Sequence, residues 1–242
     1  MAKKATTRKK TTKKKESWFK RQRRLARLYI LRGLLGLAAA FLLAIVFYAL
    51  VNPPTTWTIY SEKQRLGDVD YQWVDAEDVA PVMLRAVVAA EDANFCDHWG
   101  FDMSAIRDAI ADGADRGAST LTQQTVKNVY LWQGRSWTRK AVEALTTPFV
   151  ELIWTKRRIL EVYLNVAEFD KGVFGVDAAA QHYFGVLPSQ LNTTQAARLA
   201  AILPNPKQRS ASRPSNQTVR RAAQIMDGAA TIQKDGRSAC FE

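Results

Sequence analysis

The chain has 242 residues and a formal net charge of +12. Fourteen of its 35 Lys and Arg residues, but only one of its 23 Asp and Glu residues, lie within residues 1–32, so the rest of the chain is close to neutral. Because the excess basic side chains are not spread over a folded surface, the charge argues against a nucleic-acid-binding protein.

A membrane anchor is predicted at residues 33–51, which contain no charged side chain and are long enough to cross a bilayer as a helix. Basic residues beside a span stay on the cytoplasmic side. Residues 1–32 are therefore predicted to be a disordered cytoplasmic tail, and the remainder to be extracytoplasmic. The apolar run is longer than a signal-peptide core and no clear cleavage site follows it, which favours an uncleaved anchor.

A linker and one mainly α domain are predicted after the anchor. Residues 52–78 lack sustained periodicity and are predicted to be a juxtamembrane linker. Residues 79–233 form the domain, in which strand patterns are scarce, and residues 234–242 are a C-terminal tail with little reason to be ordered. A helix that begins near Pro81 carries Glu91 at its C-terminal end. The other predicted helices cover residues 103–112, 120–131, 137–153, 155–168, 174–183, 194–203 and 215–233.

The few cysteines and histidines indicate neither a disulfide framework nor a metal site. For Cys96 and Cys240 the default expectation is two unpaired thiols, although an extracytoplasmic location would allow a bond between them. His98 and His182 lack metal-ligand spacing, so a structural role is expected for each.

Glu91 is the first candidate for chemistry. It ends a run of apolar residues and is followed by Asp92. A carboxylate at the end of a buried helix, beside a second acid, is expected to have a raised pKa, as a general base near neutral pH requires. On the acidic pair alone, a solvated helix end is the better interpretation.

The second candidate is the block at residues 117–128. Thr120 and Gln123 match a capping box that opens a helix, and free backbone N–H groups at such a start favour an anion, especially phosphate. Thr120, Gln123 or Gln124, and Lys127 fall on one face, which puts a cation one to two turns from that anion site. The alternative is an ordinary solvent-facing side of an amphipathic helix.

Arg139, Lys140 and Glu143 form a weaker motif. Arg139 and Glu143 have i, i+4 spacing, so in isolation a surface ion pair is the better interpretation. Near a lipid phosphate the same cations could bind a leaving group. The apolar and aromatic residues 152–154, next to basic residues 156–158, could similarly form either an ordinary core rim or a surface that dips into the outer leaflet.

In order and spacing, five blocks resemble the peptidoglycan glycosyltransferases, the transglycosylase domain of class A penicillin-binding proteins and, more closely, its monofunctional membrane-anchored form. The resemblance covers about residues 50–230. No penicillin-binding domain follows in this sequence, so the monofunctional type is expected. Gln195 and Cys96 depart from the family's usual residues, but neither has a proposed chemical role. The matching blocks are residues 91–100, 117–128, 139–143, 158–185 and 196–206.

The resemblance implies a lysozyme-like helical fold with a head and a smaller, membrane-touching jaw. It implies polymerisation of lipid II into glycan strands, with inversion and release of undecaprenyl pyrophosphate. The implied location is the bacterial inner membrane, with the catalytic domain in the periplasm. The implied partners are lipid II, the growing glycan strand, the membrane surface and proteins of cell-wall synthesis or division, with no nucleic acid.

The resemblance also implies roles for individual residues. Glu91 matches the general base, and Lys127, Arg139 and Lys140 match the cations that hold the donor pyrophosphate. Glu143 matches a second glutamate that organises this pocket or a divalent cation, Mg²⁺ or Mn²⁺; no other cofactor is expected. The residues expected to shape the substrate cleft are Asp92, Phe95, His98, Ser119, Thr120, Gln123, Gln124 and Asn128.

Two other functions remain open at this point. A lysozyme-like lytic enzyme also centres on one glutamate in a helical fold. Glycan cleavage releases no pyrophosphate, however, so the predicted cation set argues against it. The other alternative is a non-catalytic, membrane-anchored cell-wall scaffold, which would have no need of Glu91 and Glu143.

Overall fold

The computed structural model describes residues 18–113, 117–134 and 136–242. It divides into two compact units, Met1–Ala44 and Ile45–Glu242. The predicted mainly α fold is confirmed, since helices dominate the described residues. The helices are α1 (Trp18–Leu50), α2 (Trp57–Leu66), α3 (Pro81–Glu91), α4 (Met103–Ala111), α5 (Leu121–Tyr130), α6 (Trp137–Ile153), α7 (Lys156–Val166), α8 (Gly175–Phe184), α9 (Thr193–Ile202) and α10 (Asn216–Lys234).

The helix α1 has 33 residues and is long and apolar enough to span a membrane once. It begins at Trp18, so the prediction of a disordered tail was wrong for residues 18–32. Their Lys, Arg and Leu side chains favour a helix that continues the apolar run. Residues 1–17, the rest of the predicted tail, lie outside the described residues.

The last turns of α1 belong to the second unit. Ile45 is fully buried, and its carbonyl accepts a hydrogen bond of 2.8 Å from the indole N–H of Trp154. The Arg158 guanidinium donates to the carbonyls of Tyr48, at 3.1 and 3.2 Å, and Val51, at 3.0 Å. The last carbonyls of a helix have no partner within it, so Arg158 satisfies groups that would otherwise depend on solvent.

The segment predicted as a linker, residues 52–78, contains regular structure, so that prediction was wrong there. Thr56 caps α2 by accepting a hydrogen bond from the Ile59 backbone N–H at 3.3 Å. Ile59 is the one buried residue of α2, which explains why the sequence shows little periodicity.

A small sheet of three strands was also missed. The strands are β1 (Asp70–Tyr71), β2 (Glu168–Asp170) and β3 (Val173–Phe174), in the order β1-β3-β2. β1 pairs with β3 in parallel, and β2 pairs with β3 in antiparallel. Strands of two or three residues are too short to produce a readable alternation of polar and apolar residues.

The core behind the site is built where α3, α9 and α10 pack together. Met83 and Val87 of α3 are fully buried, as the apolar sequence of this helix predicts. α10 crosses α3 closely, since a Cβ added at Gly228 would lie 3.2 Å from the Cβ of Ala89. The close packing of α10 therefore fixes the position of α3 up to its C-terminal end, where Glu91 lies.

The C-terminus contradicts two expectations. Cys96 and Cys240 form a disulfide rather than two unpaired thiols. The residues after α10 are ordered: Arg237–Cys240 form a 3-10 helix, and Phe241 is 1% exposed. A separation of 144 residues gives no sign of spatial proximity, which here depends on how α10 returns the chain to α3.

Candidate active site

Glu91 lies at the C-terminal end of α3 with its side chain 13% exposed. Its Oε2 accepts a hydrogen bond of 3.0 Å from Gln124 Nε2. Its Oε1 has no hydrogen-bond partner among the described residues, and the nearest cationic atom is an Arg221 guanidinium nitrogen at 3.8 Å. Glu91 lines a cavity of about 440 Å³ together with Asp92, Ser119 and other residues. Gln124 thus holds one carboxylate oxygen, and the other is buried without a hydrogen-bond partner among the described residues.

The pKa of Glu91 is raised, as the sequence predicted. Burial is the largest cause, and the neighbouring Asp92 adds to the rise. The hydrogen bond from Gln124 and the charges of Arg221 and Lys127 oppose it. A carboxyl group with a raised pKa is a better proton acceptor near neutral pH than an ordinary glutamate.

Asp92 connects the end of α3 to the start of α5. Its Oδ1 lies 2.8 Å from His98 Nε2, and its Oδ2 accepts a hydrogen bond of 2.9 Å from the Leu121 backbone N–H. The predicted capping box is confirmed, because Thr120 and Gln123 exchange side-chain and backbone hydrogen bonds of 3.3 and 3.1 Å. The Leu121 N–H at this helix start is not free for a phosphate, because it already donates to the Asp92 carboxylate.

Three of the residues expected to shape the cleft do not line the cavity that contains Glu91, and their part in shaping it stays a prediction. The side chains of Phe95, His98 and Gln123 are buried. Lys156 Nζ lies 4.5 Å from the centre of the Phe95 ring and donates to the His98 carbonyl at 2.8 Å. These contacts fix the turn after α3, which in turn holds Asp92.

Gly100 ends this turn at a φ of +81°, where a side chain has almost no room. A Cβ at this position would lie 2.5 Å from Thr147 Cγ2 and 3.0 Å from Glu151 Cγ. Glu151 is itself held by Thr122 Oγ1 at 2.5 Å and by Lys156 at 2.9 Å, so it has little freedom to move.

We expect Gly100→Ala to lower the free energy of unfolding by about 2–4 kcal/mol, from left-handed backbone strain plus overpacking. Chemical denaturation of the detergent-solubilised protein measures this. Gly185→Ala is the matched control. Gly185 has a φ of +64° but no atom within 4 Å of an added Cβ, so it should lose only about 1 kcal/mol. Equal losses at both positions would contradict the close packing around Gly100.

Glu143 joins two cations on α6. Its buried carboxylate accepts a hydrogen bond of 2.9 Å from Arg139 through Oε2 and another from Lys140 through Oε1. Lys140 also donates a hydrogen bond of 3.1 Å to Ser119 Oγ, and Ser119 lines the cavity that contains Glu91. The interpretation of Arg139 and Glu143 as a surface ion pair was therefore wrong, because the carboxylate is buried and shared.

Lys127 is a half-buried cation in a second cavity of about 170 Å³, which Gln124 and Asn128 also line. Its ammonium group makes no hydrogen bond to another described residue. Burial is the largest cause that lowers the pKa of Lys127, and Arg139 and Lys140 add to it, whereas Glu143 and Glu91 oppose it. A desolvated ammonium without an acceptor favours an anionic ligand.

The carboxylates of the described residues do not fit a resident divalent ion. Within residues 18–113, 117–134 and 136–242, no three His, Cys, Asp or Glu side chains come together as a metal site would require. Both oxygens of Glu143 are already bonded to cations. Glu143 therefore organises Arg139 and Lys140.

Residues 59–230 match the family model described as Transglycosylase. The chain belongs to this family. It is 60% identical over 215 residues to a protein from Jannaschia sp. (strain CCS1), covering 89% of this chain and 90% of that protein. It is 45% identical over 207 residues to one from Yersinia pseudotuberculosis serotype O:1b (strain IP 31758), covering 81% and 86%. Both relatives are named biosynthetic peptidoglycan transglycosylase.

Sequence reasoning about this transglycosylase missed Arg221. Its guanidinium donates to the Ala90 carbonyl at 3.2 Å and approaches Glu91. Arg221 lies on α10, far from the blocks that carry the chemistry, and only the packing of α10 on α3 brings it to the site. An arginine on an amphipathic helix gives no sequence signal that separates it from a solvated one.

Proposed function

We propose that this transglycosylase polymerises lipid II into peptidoglycan glycan strands. The observation that carries the proposal is that Gln124 binds the Glu91 carboxylate, a proton acceptor, and lines the same cavity as Lys127, whose ammonium group lacks an acceptor among the described residues. Transfer from a lipid pyrophosphate needs both, because a hydroxyl must lose a proton while a pyrophosphate gains negative charge. A lytic enzyme would need the carboxylate but not the ammonium group.

Glu91 is proposed as the general base. Gln124 fixes the Glu91 carboxylate through Oε2, and the buried Oε1 has no hydrogen-bond partner among the described residues. This carboxylate takes the proton from the acceptor sugar 4-hydroxyl. The hydroxyl oxygen attacks the anomeric carbon of the donor as the bond to the pyrophosphate breaks on the opposite face, which inverts the configuration. Cavity-lining Asp92 and Ser119 border the space in which this acceptor would lie.

The cations are proposed to hold the leaving group. Lys127 supplies a charge that is already desolvated, so little solvent has to be displaced when pyrophosphate arrives. Arg139 and Lys140 are oriented in advance by Glu143, which lowers the entropy lost when they bind. The leaving group is undecaprenyl pyrophosphate, and neutralising its charge lowers the barrier to its departure.

The enzyme is proposed to work at the outer face of the bacterial inner membrane, with its N-terminus in the cytoplasm. The basic residues of α1 precede its apolar part, the arrangement that retains this end inside. Leu145, Phe149 and Leu152 form an exposed apolar stripe on α6, the helix that carries Arg139 and Lys140. Insertion of this stripe into the leaflet would bring the cations to the level of lipid phosphates. Cell-wall synthesis or division proteins are proposed as partners.

The direct test is polymerisation of purified lipid II by the detergent-solubilised full-length protein. Products are separated by length and then digested with a muramidase. We expect polymers that the muramidase degrades. A folded protein that yields no polymer, or that shortens preformed glycan strands instead, would overturn the proposal in favour of a scaffold or a lytic enzyme.

The rate of polymerisation should show a bell-shaped pH dependence. The interval between its two limbs should be narrower than the interval between the pKa values of an ordinary glutamate and an ordinary lysine. Glu91 must be ionised and its pKa is raised, so the acidic limb should lie above the value of about 4.3 for an ordinary glutamate. Lys127 must be protonated and its pKa is lowered, so the alkaline limb should lie below about 10.4. Measurement of kcat/KM for lipid II across this range tests both limbs. Lys127→Arg should move only the alkaline limb upward; no movement would exclude Lys127 as its origin.

A further inference from the structure

The C-terminal clasp, residues 235–242, returns to the turn that follows Glu91. Cys240 of the clasp is bonded to Cys96, which lies in that turn. The bond joins the last turn of the chain to a position five residues after the proposed base.

Two further contacts reach the same turn. The Arg237 guanidinium donates to the Ala93 carbonyl at 2.9 Å, two residues after Glu91. The buried Phe241 ring lies 6.4 Å from the ring of Phe95, measured between centroids. The covalent bond is thus one of several connections between clasp and turn.

The clasp also holds the helix on the other side of the base. Glu242 forms an ion pair with Arg85 of α3, six residues before Glu91. Within the turn, His98 lies against the Phe95 ring and contacts the Asp92 carboxylate, which binds the start of α5. The clasp therefore contacts the chain before and after Glu91 and supports the wall that contains it.

We propose that the clasp is a positioning element of the active site and that the Cys96–Cys240 bond controls it. With the bond formed, residues 91–99 are held in the geometry that presents Glu91 to the acceptor hydroxyl. With the bond reduced, the clasp loosens and turnover slows. This inference rests on the proposed function, in which Glu91 is the base.

The redox step is thiol–disulfide exchange. The thiols of Cys96 and Cys240 lose two protons and two electrons, and a disulfide-bearing oxidant takes them up to become two thiols. Such bonds persist in oxidising compartments and are rare in the cytosol. The bond would therefore make full activity depend on delivery of the domain across the membrane.

A positioning role predicts a specific kinetic change. The clasp contacts α3 and the turn after it, whereas Lys127 lies on α5 and Arg139 on α6. Reduction should therefore affect the placement of the base more than the binding of pyrophosphate. Misplacement of a catalytic group by about 1 Å can lower a rate about a hundredfold, so a loss of kcat without a comparable rise in KM is the expected signature.

The test compares oxidised and dithiothreitol-reduced full-length protein in detergent. We expect kcat for lipid II to fall about tenfold or more, with KM changed by less than about twofold, and reoxidation to restore kcat. Hydrogen–deuterium exchange should accelerate at residues 91–99 and at the Leu121 amide, which donates to Asp92, and stay unchanged in the rest of α5 and in α6. Unchanged kcat in a fully reduced, folded protein would overturn the proposal, as would loss of exchange protection throughout the domain.

Three variants complete the test. Cys96→Ser/Cys240→Ser should have the low kcat of the reduced enzyme and be insensitive to reductant; sensitivity in this variant would overturn the assignment to this bond. Arg237→Ala should lower kcat with the disulfide intact, whereas Lys234→Ala, an exposed charge at the end of α10, should not. An equal change of kcat in Arg237→Ala and Lys234→Ala would contradict a role for the contact between Arg237 and the Ala93 carbonyl. If the oxidised wild type forms no polymer, the proposed function fails, and the exchange experiment still decides whether the clasp orders the turn.

Discussion

Glu91→Gln should lower the rate of lipid II polymerisation by about 10²- to 10⁴-fold, the range that a general base supplies. Glutamine keeps the size of the side chain and can still pair with Gln124, but it cannot take the acceptor proton. The rate is measured from the length-resolved products of purified lipid II. The matched control is Glu77→Gln, the same change at a side chain that is 87% exposed, which should polymerise at the wild-type rate.

The same substitution should not destabilise the protein. Burial raises the pKa of Glu91, so the folded state holds this proton more tightly than the unfolded state does. As pH rises through the interval between the two pKa values, the ionised carboxylate lowers the free energy of unfolding. Glu91→Gln should therefore raise the unfolding midpoint at neutral pH, and the gain should vanish below the unfolded-state pKa of about 4.3. A variant that is inactive because it is unfolded would contradict this.

Lys127→Met should lower kcat by about 10²- to 10³-fold, comparable to the loss of one donor that stabilises charge in a transition state. Methionine fills similar space without the charge that would face the pyrophosphate. Lys171→Met removes an exposed lysine and is the control that should leave kcat unchanged. A wild-type kcat in Lys127→Met would show that Lys127 does not stabilise the leaving group.

Lys127→Met should raise the stability of the protein although it lowers activity, as is expected for Glu91→Gln. Burial lowers the pKa of Lys127, so its charged form disfavours the folded state at neutral pH. Lys127→Met should raise the unfolding midpoint there, and the difference should disappear above about pH 10.4, where the unfolded-state lysine is also neutral. A lower midpoint would mean that Lys127 has a structural partner. Residues that oppose folding in this way are retained for function.

Local signals in the sequence predicted the parts of the site that depend on neighbouring residues. The α6 helix was predicted at 137–153 and found at Trp137–Ile153, since its Ser136 cap and amphipathic pattern are both local. The Thr120 capping box and the position of Glu91 at a helix end follow for the same reason. The roles of these residues came from the order of the motifs and remain predictions.

The contacts that complete the site are nonlocal and could not be read from the sequence. The carboxylate of Asp92 fills the helix start at Leu121, which the motif alone presents as a free anion site. Arg221 reaches Glu91 only because α10 crosses α3. Spacing predicted contact between Arg139 and Glu143, but their burial depends on what packs over α6.

The attachment at the end of α1 determines where a soluble fragment can begin. The hydropathy pattern places the boundary at residue 51, and a truncation there would remove Ile45 and the carbonyl that binds the Trp154 indole. It would also remove the Tyr48 carbonyl from the Arg158 guanidinium and expose the apolar surface that Ile45 covers. A fragment designed for crystallisation therefore has to start before Ile45 and to carry the last turns of the anchor helix as part of its folded domain.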